Sequence, residues 1–401
     1  MLYQTQAYLP FLALSLAGYW AFCRTPRARA LLLSLASAGF LGIAQLTSVS
    51  FEYASAATTG LLLLTLAVFH LGSWLRRNPS GLRLTLAIVV PLSLLISFKY
   101  VLPLAHHFGA LGEIAVPLGI SYYTFKHVSF LIESSRGKFA DATLIDYFAY
   151  ILFFPMFAAG PIERFAAFKE ELAAVSFSWN QASTAAERLL IGLIFKFVIA
   201  EMLIKIAIYP VPMTAEIAGG MLWWQAFLAA FARFLYTYFD FAGYTHMVIG
   251  TGLLFGIKLM ENFQAPLLRP NLAEFWRGWH ISLSSWARDY IYFPILGNYR
   301  SPTLALLATF LMIGVWHSPA PGWALWGLHH GLGLSLLAAY HRWANDKQWA
   351  TDIRLTIAWR VAATLATWWY VSIGYALTFV AFDLETSLRL YAKILTFGVL
   401  S

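Results

Sequence analysis

The side chains best suited to chemistry in this 401-residue sequence are a few histidines in its second half. His317, His329 and His330 flank or lie within one apolar stretch, and His280 precedes them in a tryptophan-rich segment. A positioned imidazole can take or give a proton near neutral pH, so histidine is the most frequent general acid or base in enzymes. From the spacing alone, a structural hydrogen bond between helices explains these residues equally well.

The segment 271–291 carries the densest set of aromatic and basic side chains. Read as one helix, it has an apolar stripe made of Trp276, Trp279, Leu283, Trp286 and Tyr290. Arg277, Ser284 and Arg288 form a neighbouring stripe, and His280 falls on the seam between the two. Such a helix typically lies in the membrane interface. An interfacial anchor explains the tryptophans but not the histidine.

Several familiar catalytic patterns are missing from the sequence. It has no Gly-x-Ser-x-Gly elbow, no His-Glu-x-x-His zinc site, no Walker loop and no paired cysteines. The single cysteine, Cys23, could in principle be a catalytic thiolate, but an inert apolar cysteine is the favoured interpretation. Residues 341–346 (HRWAND) fit the His-x4-Asp pattern of glycerolipid acyltransferases, a two-position match that arises easily by chance. We therefore expect neither a metal site nor a covalent acyl-enzyme.

The composition predicts that these residues are carried by membrane helices. The chain is 60% hydrophobic and only 11% charged, whereas soluble domains are about 25% charged. Crossing a bilayer takes about 20 apolar residues, and several candidates are shorter than that. The candidate spans are residues 2–23, 30–47, 58–74, 82–98, 144–159, 189–210, 221–241, 244–257, 304–315, 323–340 and 361–382. This pattern predicts an all-α polytopic membrane protein with roughly ten to twelve embedded helices, some re-entrant or interfacial.

The character of the chain changes along its length within one predicted membrane domain, residues 1–401. Residues 1–110 read as plain N-terminal helices, and residues 346–401 read as plain C-terminal helices. Residues 111–345, the predicted core, mix polar, aromatic, glycine and proline residues between spans. Irregular backbone at membrane depth is tolerated only where protein or water satisfies it. The core is therefore expected to enclose a central polar cavity.

The distribution of basic residues predicts the topology. Residues 24–29 and 76–83 each contain three arginines, whereas residues 45–55 contain no basic residue. Lys and Arg collect on the cytoplasmic side of short loops, so both arginine loops are predicted to be cytoplasmic. No basic residue precedes the first apolar run, which favours a retained helix over a signal peptide. The basic residues are dispersed between spans and not gathered on one face, which argues against nucleic-acid binding.

Eight short segments of the predicted core combine aromatic, glycine, proline and polar residues. The segments are 117–125 (PLGISYYTF), 154–164 (FPMFAAGPIER), 238–244 (YFDFAGY), 261–263 (ENF), 275–284 (FWRGWHISLS), 288–290 (RDY), 315–317 (VWH) and 326–331 (WGLHHG). In order and spacing, over roughly residues 115–335, these segments resemble the membrane-bound O-acyltransferase family. The resemblance is to its bacterial branch of alginate O-acetylases and D-alanyl transfer proteins of teichoic acid synthesis.

The resemblance implies site residues. The two signature histidines of the family correspond to His280 and His330, with the adjacent His329 as a rival. It implies that His330 is the general base and that His280 orients the donor or stabilises the oxyanion; Arg277, Ser284 and His317 are lesser candidates. The chain departs from the alginate-type pattern after Tyr244, where Thr245-His246 replaces an acidic residue.

The resemblance also implies the partners of the reaction. The acyl donor would be acetyl-CoA or an acylated carrier protein on the cytoplasmic side, with no bound cofactor and no metal. The acceptor would be hydroxyl groups of an extracytoplasmic glycopolymer, or a partner envelope acyltransferase. Residues 160–164 lean towards the D-alanyl type, and residues 291–298 and 326–330 lean towards the acetyl type. A transporter or flippase without acyl chemistry remains the alternative class, because a polar cavity suits either.

Overall fold

The fold is built from helices, as the computed structural model shows for residues 8–46, 50–107, 109, 115–208, 214–380 and 382–399. These described residues contain no β-strand, which confirms the predicted all-α class. The helices are α1 Tyr8–Phe22, α2 Pro26–Leu46, α3 Phe51–Arg77, α4 Gly81–Ile96, α5 Leu102–His107, α6 Ile120–Ser135, α7 Leu144–Leu152, α8 Phe165–Ala174, α9 Trp179–Leu193, α10 Ala215–Gly220, α11 Trp223–Leu254, α12 Leu272–Gly278, α13 Ile281–Ala287, α14 Phe293–Tyr299, α15 Pro302–His317, α16 Pro321–Ala344, α17 Gln348–Leu355, α18 Ile357–Ala376 and α19 Leu384–Leu395.

Three helices in the described part of the chain are long and apolar enough to cross a membrane. They are Pro26–Ala44, Phe51–Arg77 and Gly81–His107, the last formed by α4 and α5 with a π-helical turn between them. They coincide with the candidate spans at 30–47, 58–74 and 82–98, of which residue 47 lies outside the described residues. Two shorter apolar helices, Tyr8–Phe22 and Pro302–His317, lie at further candidates. The full count of ten to twelve embedded helices stays a prediction.

The described residues group into two compact units. Unit 1 comprises the described residues up to Ile191 together with Tyr244–Met260. Unit 2 comprises those of Gly192–Gly243 and of the chain from Glu261 onward. The predicted single membrane domain and its central polar cavity stay predictions.

In unit 1, the residue that follows segment 117–125 and Glu163 of segment 154–164 belong to one polar core. Lys126 of α6 is buried and donates through Nζ to the carbonyl oxygen of Tyr150 (3.1 Å). The hydroxyl of Tyr150 donates to the carbonyl oxygen of Glu163 (2.8 Å). The buried carboxylate of Glu163 accepts a hydrogen bond from the backbone N–H of Met260 (2.9 Å). The buried cation and the buried carboxylate thus each have polar partners, as buried charges require.

In unit 2, α15 and α16 form a tight antiparallel hairpin that carries His317, His329 and His330. A Cβ added at Gly314 would overlap the carbonyl oxygen of Trp323, and one added at Gly327 would overlap that of Phe310. At Gly331 an added Cβ would lie 3.1 Å from Cα of Leu307. Small residues let helix backbones approach closely in membranes. The glycines on either side of His330 therefore determine how deeply α16 is seated against α15.

We expect Gly327→Ala to destabilise the protein measurably. The added methyl group meets backbone rather than a flexible side chain, so the helices must separate, at a cost of about 1–3 kcal/mol. Thermal unfolding of the purified protein in detergent measures the change. Gly42→Ala is the matched control, because a Cβ at Gly42 meets nothing within 4 Å. Equal unfolding temperatures for the two variants would contradict this account of the hairpin.

Candidate active site

His280 lies in a sharp break between α12 and α13. The break is made by backbone pairing with residues 262–264: the N–H of Ile281 donates to the carbonyl oxygen of Asn262 (3.0 Å). The N–H of Gln264 donates to the carbonyl oxygen of Gly278 (2.9 Å). These backbone groups therefore bond to a distant segment of the chain and not along a helix. The predicted continuous helix over 271–291 is wrong for this reason.

The apolar side of this segment is nevertheless buried as its periodicity predicts. Trp276, Trp279, Leu283 and Trp286 are buried, whereas the guanidinium-bearing side chains of Arg277 and Arg288 are exposed. Hydrophobic spacing thus identified the buried face correctly. It could not show the break, because the break depends on partners supplied by residues 262–264.

The backbone of His280 is in the left-handed region, with φ 42° and ψ 54°. For a residue other than glycine this conformation costs about 1–2 kcal/mol. Such strain is maintained only where the surroundings impose it, and it occurs preferentially at functional sites. Here it directs a buried imidazole to Phe241 of α11 (ring centroids 4.7 Å apart) and Trp316 of α15 (6.3 Å). Burial lowers the pKa of His280, which keeps its ring neutral.

His330 lies in the middle of α16 and is completely buried. Its Nδ1 accepts a hydrogen bond from the indole N–H of Trp276 (3.4 Å). Its ring packs edge-to-face against Trp276 (5.1 Å) and Trp326 (4.6 Å). Its Nε2 has no hydrogen-bond partner among the described residues, and the same is true of Nε2 of His280. Buried polar atoms rarely stay unpaired, so each of these nitrogens needs an explanation.

His329 differs from His330 because both of its ring nitrogens are engaged. Nε2 bonds to the carbonyl oxygen of Tyr370 (3.0 Å), and Nδ1 lies 3.1 Å from the hydroxyl of Tyr391. The ring also stacks on Tyr370 at 4.0 Å. A carbonyl only accepts, so Nε2 is the donor and Nδ1 accepts from the tyrosine. His329 is thereby tied to α18 and α19, which leaves His330 with the available nitrogen.

An aromatic cluster connects the two candidate histidines within unit 2. Trp326 lies 5.5 Å from the ring of His317, which in turn lies 4.6 Å from Trp316. Trp316 is the neighbour of His280, and Trp326 is the neighbour of His330. We call Trp276, Trp316, His317 and Trp326 the aromatic cluster. The structure therefore brings His280, His317 and His330 into one set of packed rings.

The lesser candidates have other surroundings. The hydroxyl of Ser284 donates to the carbonyl oxygen of Trp279 (3.1 Å), so its proton is already used locally. Arg277 and Ser284 line a cavity of about 290 Å³ whose wall includes Trp276 and Phe310. His317 stacks on Trp323 at 4.7 Å.

In the part of the chain that the structure describes, no group of three His, Cys, Asp or Glu side chains is arranged to hold a metal ion.

Thr245 and His246, which replace an acidic residue of the alginate-type pattern, lie in unit 1. Nη1 of Arg188 lies 3.1 Å from Nδ1 of His246. A guanidinium can only donate, so His246 accepts and its proton is on the other nitrogen. Thr245 is buried beside it. At this position, His246 thus offers a hydrogen-bond acceptor, and not a carboxylate, to Arg188.

Sequence reasoning missed three side chains that the structure places at or near the site. Trp276 was read only as part of the apolar stripe and Trp326 only as part of segment 326–331, although the spacing of Trp326 and His330 on a helix could have indicated a contact. The buried Lys196 forms an ion pair with the half-buried Asp240, the acid of segment 238–244. A Cβ at Gly243 would lie 2.7 Å from the backbone nitrogen of Lys196, so α11 and the π-helical segment Ile194–Ile208 touch there. No short-range pattern identifies such a pair.

A known protein family matches most of the chain. The model of the membrane-bound O-acyltransferase family matches residues 54–380, a range that contains both candidate histidines and the aromatic cluster. This chain belongs to the membrane-bound O-acyltransferase family, a family of enzymes that transfer acyl groups.

Individual relatives carry three different functional names. The chain is 33% identical over 360 residues to a probable alginate O-acetylase of Azotobacter vinelandii, covering 84% of this chain and 69% of the relative. It is 30% identical over 280 residues to a teichoic acid D-alanyltransferase of Bacillus subtilis, covering 64% and 67%. It is 29% identical over 346 residues to a peptidoglycan O-acetyltransferase of Helicobacter pylori, covering 76% and 63%. The chain thus spans about two thirds of the length of these relatives.

Proposed function

We propose that this protein is a multi-pass O-acyltransferase of the cell inner membrane. It transfers an acetyl or D-alanyl group from a cytoplasmic thioester donor to a hydroxyl of an extracytoplasmic polysaccharide or other cell-envelope glycopolymer. The donor is acetyl-CoA or an acylated carrier protein, and the acceptor is the glycopolymer itself or a partner envelope acyltransferase. The names of the relatives support an acylated glycopolymer as the product.

One observation carries the proposal more than the others. Two buried imidazoles, at the two positions where the resemblance expects catalytic histidines, each have an unpartnered Nε2 in the described structure. His329, the neighbour of His330 on α16, instead uses both of its ring nitrogens. A bound thioester and hydroxyl would supply the missing partners. His280 and His330 are therefore the proposed catalytic pair.

Of the two proposed donors, acetyl-CoA is favoured over a D-alanylated carrier protein. The alignment with the alginate O-acetylase covers 84% of the chain, compared with 64% for the D-alanyltransferase. Direct attack of the hydroxyl on the thioester is the proposed route. Cys23, the residue that an acyl-cysteine route would need, is buried.

Turnover by the purified protein separates an acyltransferase from a transporter. The protein in lipid nanodiscs is supplied with acetyl-CoA or a D-alanylated carrier protein and with acidic polysaccharide or teichoic acid. The expected result is release of free thiol in step with ester formation on the polymer. A transporter leaves the thioester intact. Unchanged thioester with every donor and acceptor pair would contradict the proposed function.

The cytoplasmic position of the donor rests on the arginine loops, which labelling can test. We expect single cysteines at Thr25→Cys and Asn78→Cys, in a Cys23→Ser background, to resist an impermeant thiol reagent in intact cells. Ser50→Cys, before α3, is expected to react from outside because its loop lacks basic residues. Permeabilised cells, in which all three positions react, provide the control. Labelling of positions 25 and 78 from outside would reverse the topology.

A further inference from the structure

Another cavity of unit 2, of about 430 Å³, carries charged side chains that the candidate active site does not use. Its volume is within the range of small-molecule sites, about 300–1,000 Å³. We call it the basic cavity. Its polar lining consists of Asn271 and Glu274 of α12, Tyr340 and His341 of α16, Arg354 of α17 and Arg360 of α18. Polar groups from four helices thus meet around one space.

The charges of the basic cavity favour an anion. Arg354 and Arg360 each contribute a guanidinium group, and Glu274 contributes the one carboxylate of the described lining. One oxygen of that carboxylate already accepts from Nδ2 of Asn271 (2.6 Å). Arg360 is exposed and forms no ion pair with any described residue. The lining therefore has a net positive charge.

Arg354 is held at the basic cavity by the end of α16. Its Nη1 donates to Oδ1 of Asn345 (3.3 Å), and its guanidinium lies over the ring of Tyr340 (5.7 Å from the centroid). Residues 341–346, the segment that fits the His-x4-Asp pattern, thus supply both His341 of the wall and the Asn345 partner of Arg354. A side chain that is already ordered loses less conformational entropy when a ligand binds.

The surroundings of the basic cavity have the composition of a membrane interface. Trp343, Trp349 and Trp359 are exposed, and Nζ of Lys347 lies over the ring of Trp343 (5.0 Å). Tryptophans are enriched at the level of the lipid headgroups, and Lys and Arg collect in cytoplasmic loops. Residues 342–360 contain four basic residues. A position at the headgroup level of the cytoplasmic leaflet accounts for both features.

An exposed apolar stripe on α16 ends at the basic cavity. The side chains of Leu332 and Leu336 are 51% and 61% exposed, and Tyr340 of the cavity wall follows at the same four-residue interval. Residues four apart are neighbours on one face of a helix. A ligand with an anionic head and apolar chains can occupy the cavity and cover the stripe. A water-soluble phosphate would leave the stripe uncovered.

We propose that the basic cavity binds the phosphate headgroup of an anionic phospholipid of the cytoplasmic leaflet, with its acyl chains along Leu336 and Leu332. Arg354 and Arg360 bind the phosphate oxygens, whose geometry matches the planar guanidinium fork. Basic cavities between helices on the cytoplasmic side of membrane proteins bind such headgroups. The lipid is bound and not consumed, so the site goes beyond the acyl transfer proposed above.

Native mass spectrometry of the purified protein in detergent measures this binding directly. Phosphatidylglycerol is the anionic probe, and zwitterionic phosphatidylcholine is the comparison. We expect the double variant Arg354→Gln, Arg360→Gln to bind phosphatidylglycerol at least about tenfold more weakly, because each basic side chain contributes about fivefold to the binding of an anionic lipid. Its affinity for phosphatidylcholine is expected to change little.

Two further variants control for surface charge and for folding. Arg342→Gln, Lys347→Gln removes the same charge from the same loop outside the cavity lining, and we expect it to keep the native affinity within about twofold. Glu274→Gln removes the carboxylate but leaves an amide oxygen for Asn271. It is expected to strengthen phosphatidylglycerol binding, a change that misfolding cannot imitate.

The phosphate groups of coenzyme A share the chemistry of the lipid headgroup, so coenzyme A is the second probe. Weaker phosphatidylglycerol binding with native coenzyme A binding in Arg354→Gln, Arg360→Gln supports the lipid site. Weaker coenzyme A binding with native phosphatidylglycerol binding would assign the cavity to a soluble phosphate and overturn the proposal. Equal losses of lipid affinity in the two double variants would overturn it as well. These measurements need no turnover, so they stand apart from the test of the proposed function.

Discussion

Replacement of His330 by alanine is expected to lower kcat by about 10³-fold while the protein remains folded and binds its donor. His330 is completely buried, and its Nε2 has no hydrogen-bond partner among the described residues. The variant removes this atom together with the acceptor of the Trp276 N–H. Transfer of labelled acetyl to polymer measures activity, and donor binding measured separately distinguishes loss of chemistry from loss of binding.

His329→Ala is the matched control for His330→Ala. The two residues are adjacent on α16 and point about 100° apart. Both nitrogens of His329 are engaged by Tyr370 and Tyr391, so its loss is expected to lower thermal stability more than kcat. If His329→Ala were inactive and His330→Ala active, the catalytic position would be one residue earlier. Full activity of both variants would contradict the histidine mechanism altogether.

Replacement of His280 by asparagine is expected to lower kcat by about 10²–10⁴-fold while the protein remains folded. The backbone of His280 is left-handed, a conformation that asparagine tolerates better than most residues. The melting temperature of His280→Asn should therefore fall only slightly, through the lost ring contacts, and stay above that of His280→Ala. Alanine at this position would combine loss of the imidazole with backbone strain. Asparagine therefore separates the loss of the imidazole from backbone strain better than alanine does.

The combination of lost activity and retained stability distinguishes a catalytic His280 from a structural one. A structural role would reduce the melting temperature and kcat together, because the packing against Phe241 and Trp316 would be lost. Wild-type kcat in a stable His280→Asn variant would remove His280 from the mechanism. Trp279, its buried neighbour in the break, offers a comparison in which Trp279→Phe is expected to affect stability first.

What the sequence predicts well in this protein are features that depend on local periodicity. Apolar runs located the helices Phe51–Arg77 and Gly81–His107, and the spacing of Trp276, Leu283 and Trp286 located the buried side of their segment. Each of these signals arises from neighbours within one or two turns, so a single window of sequence contains it.

Features that depend on distant partners were missed. The break at His280 is imposed by pairing with residues 262–264, and the hydrogen bond to His330 is supplied by Trp276. The distinction between His329 and His330 depends on Tyr370 and Tyr391. The motif resemblance located the histidines but could not say which atoms they offer to a substrate. That information depends on hydrogen-bond partners brought together by the fold.

The most direct test of the central claim follows both halves of the donor in one experiment. The protein is reconstituted into sealed vesicles with its cytoplasmic side outward, and acceptor polymer is enclosed within. Acetyl-CoA labelled differently on the acetyl group and on the coenzyme is added outside. The account predicts that the acetyl label becomes esterified to the enclosed polymer while the coenzyme label stays outside as free thiol, and that His330→Ala vesicles do neither. Entry of both labels together, or esterification that persists in His330→Ala, would contradict it.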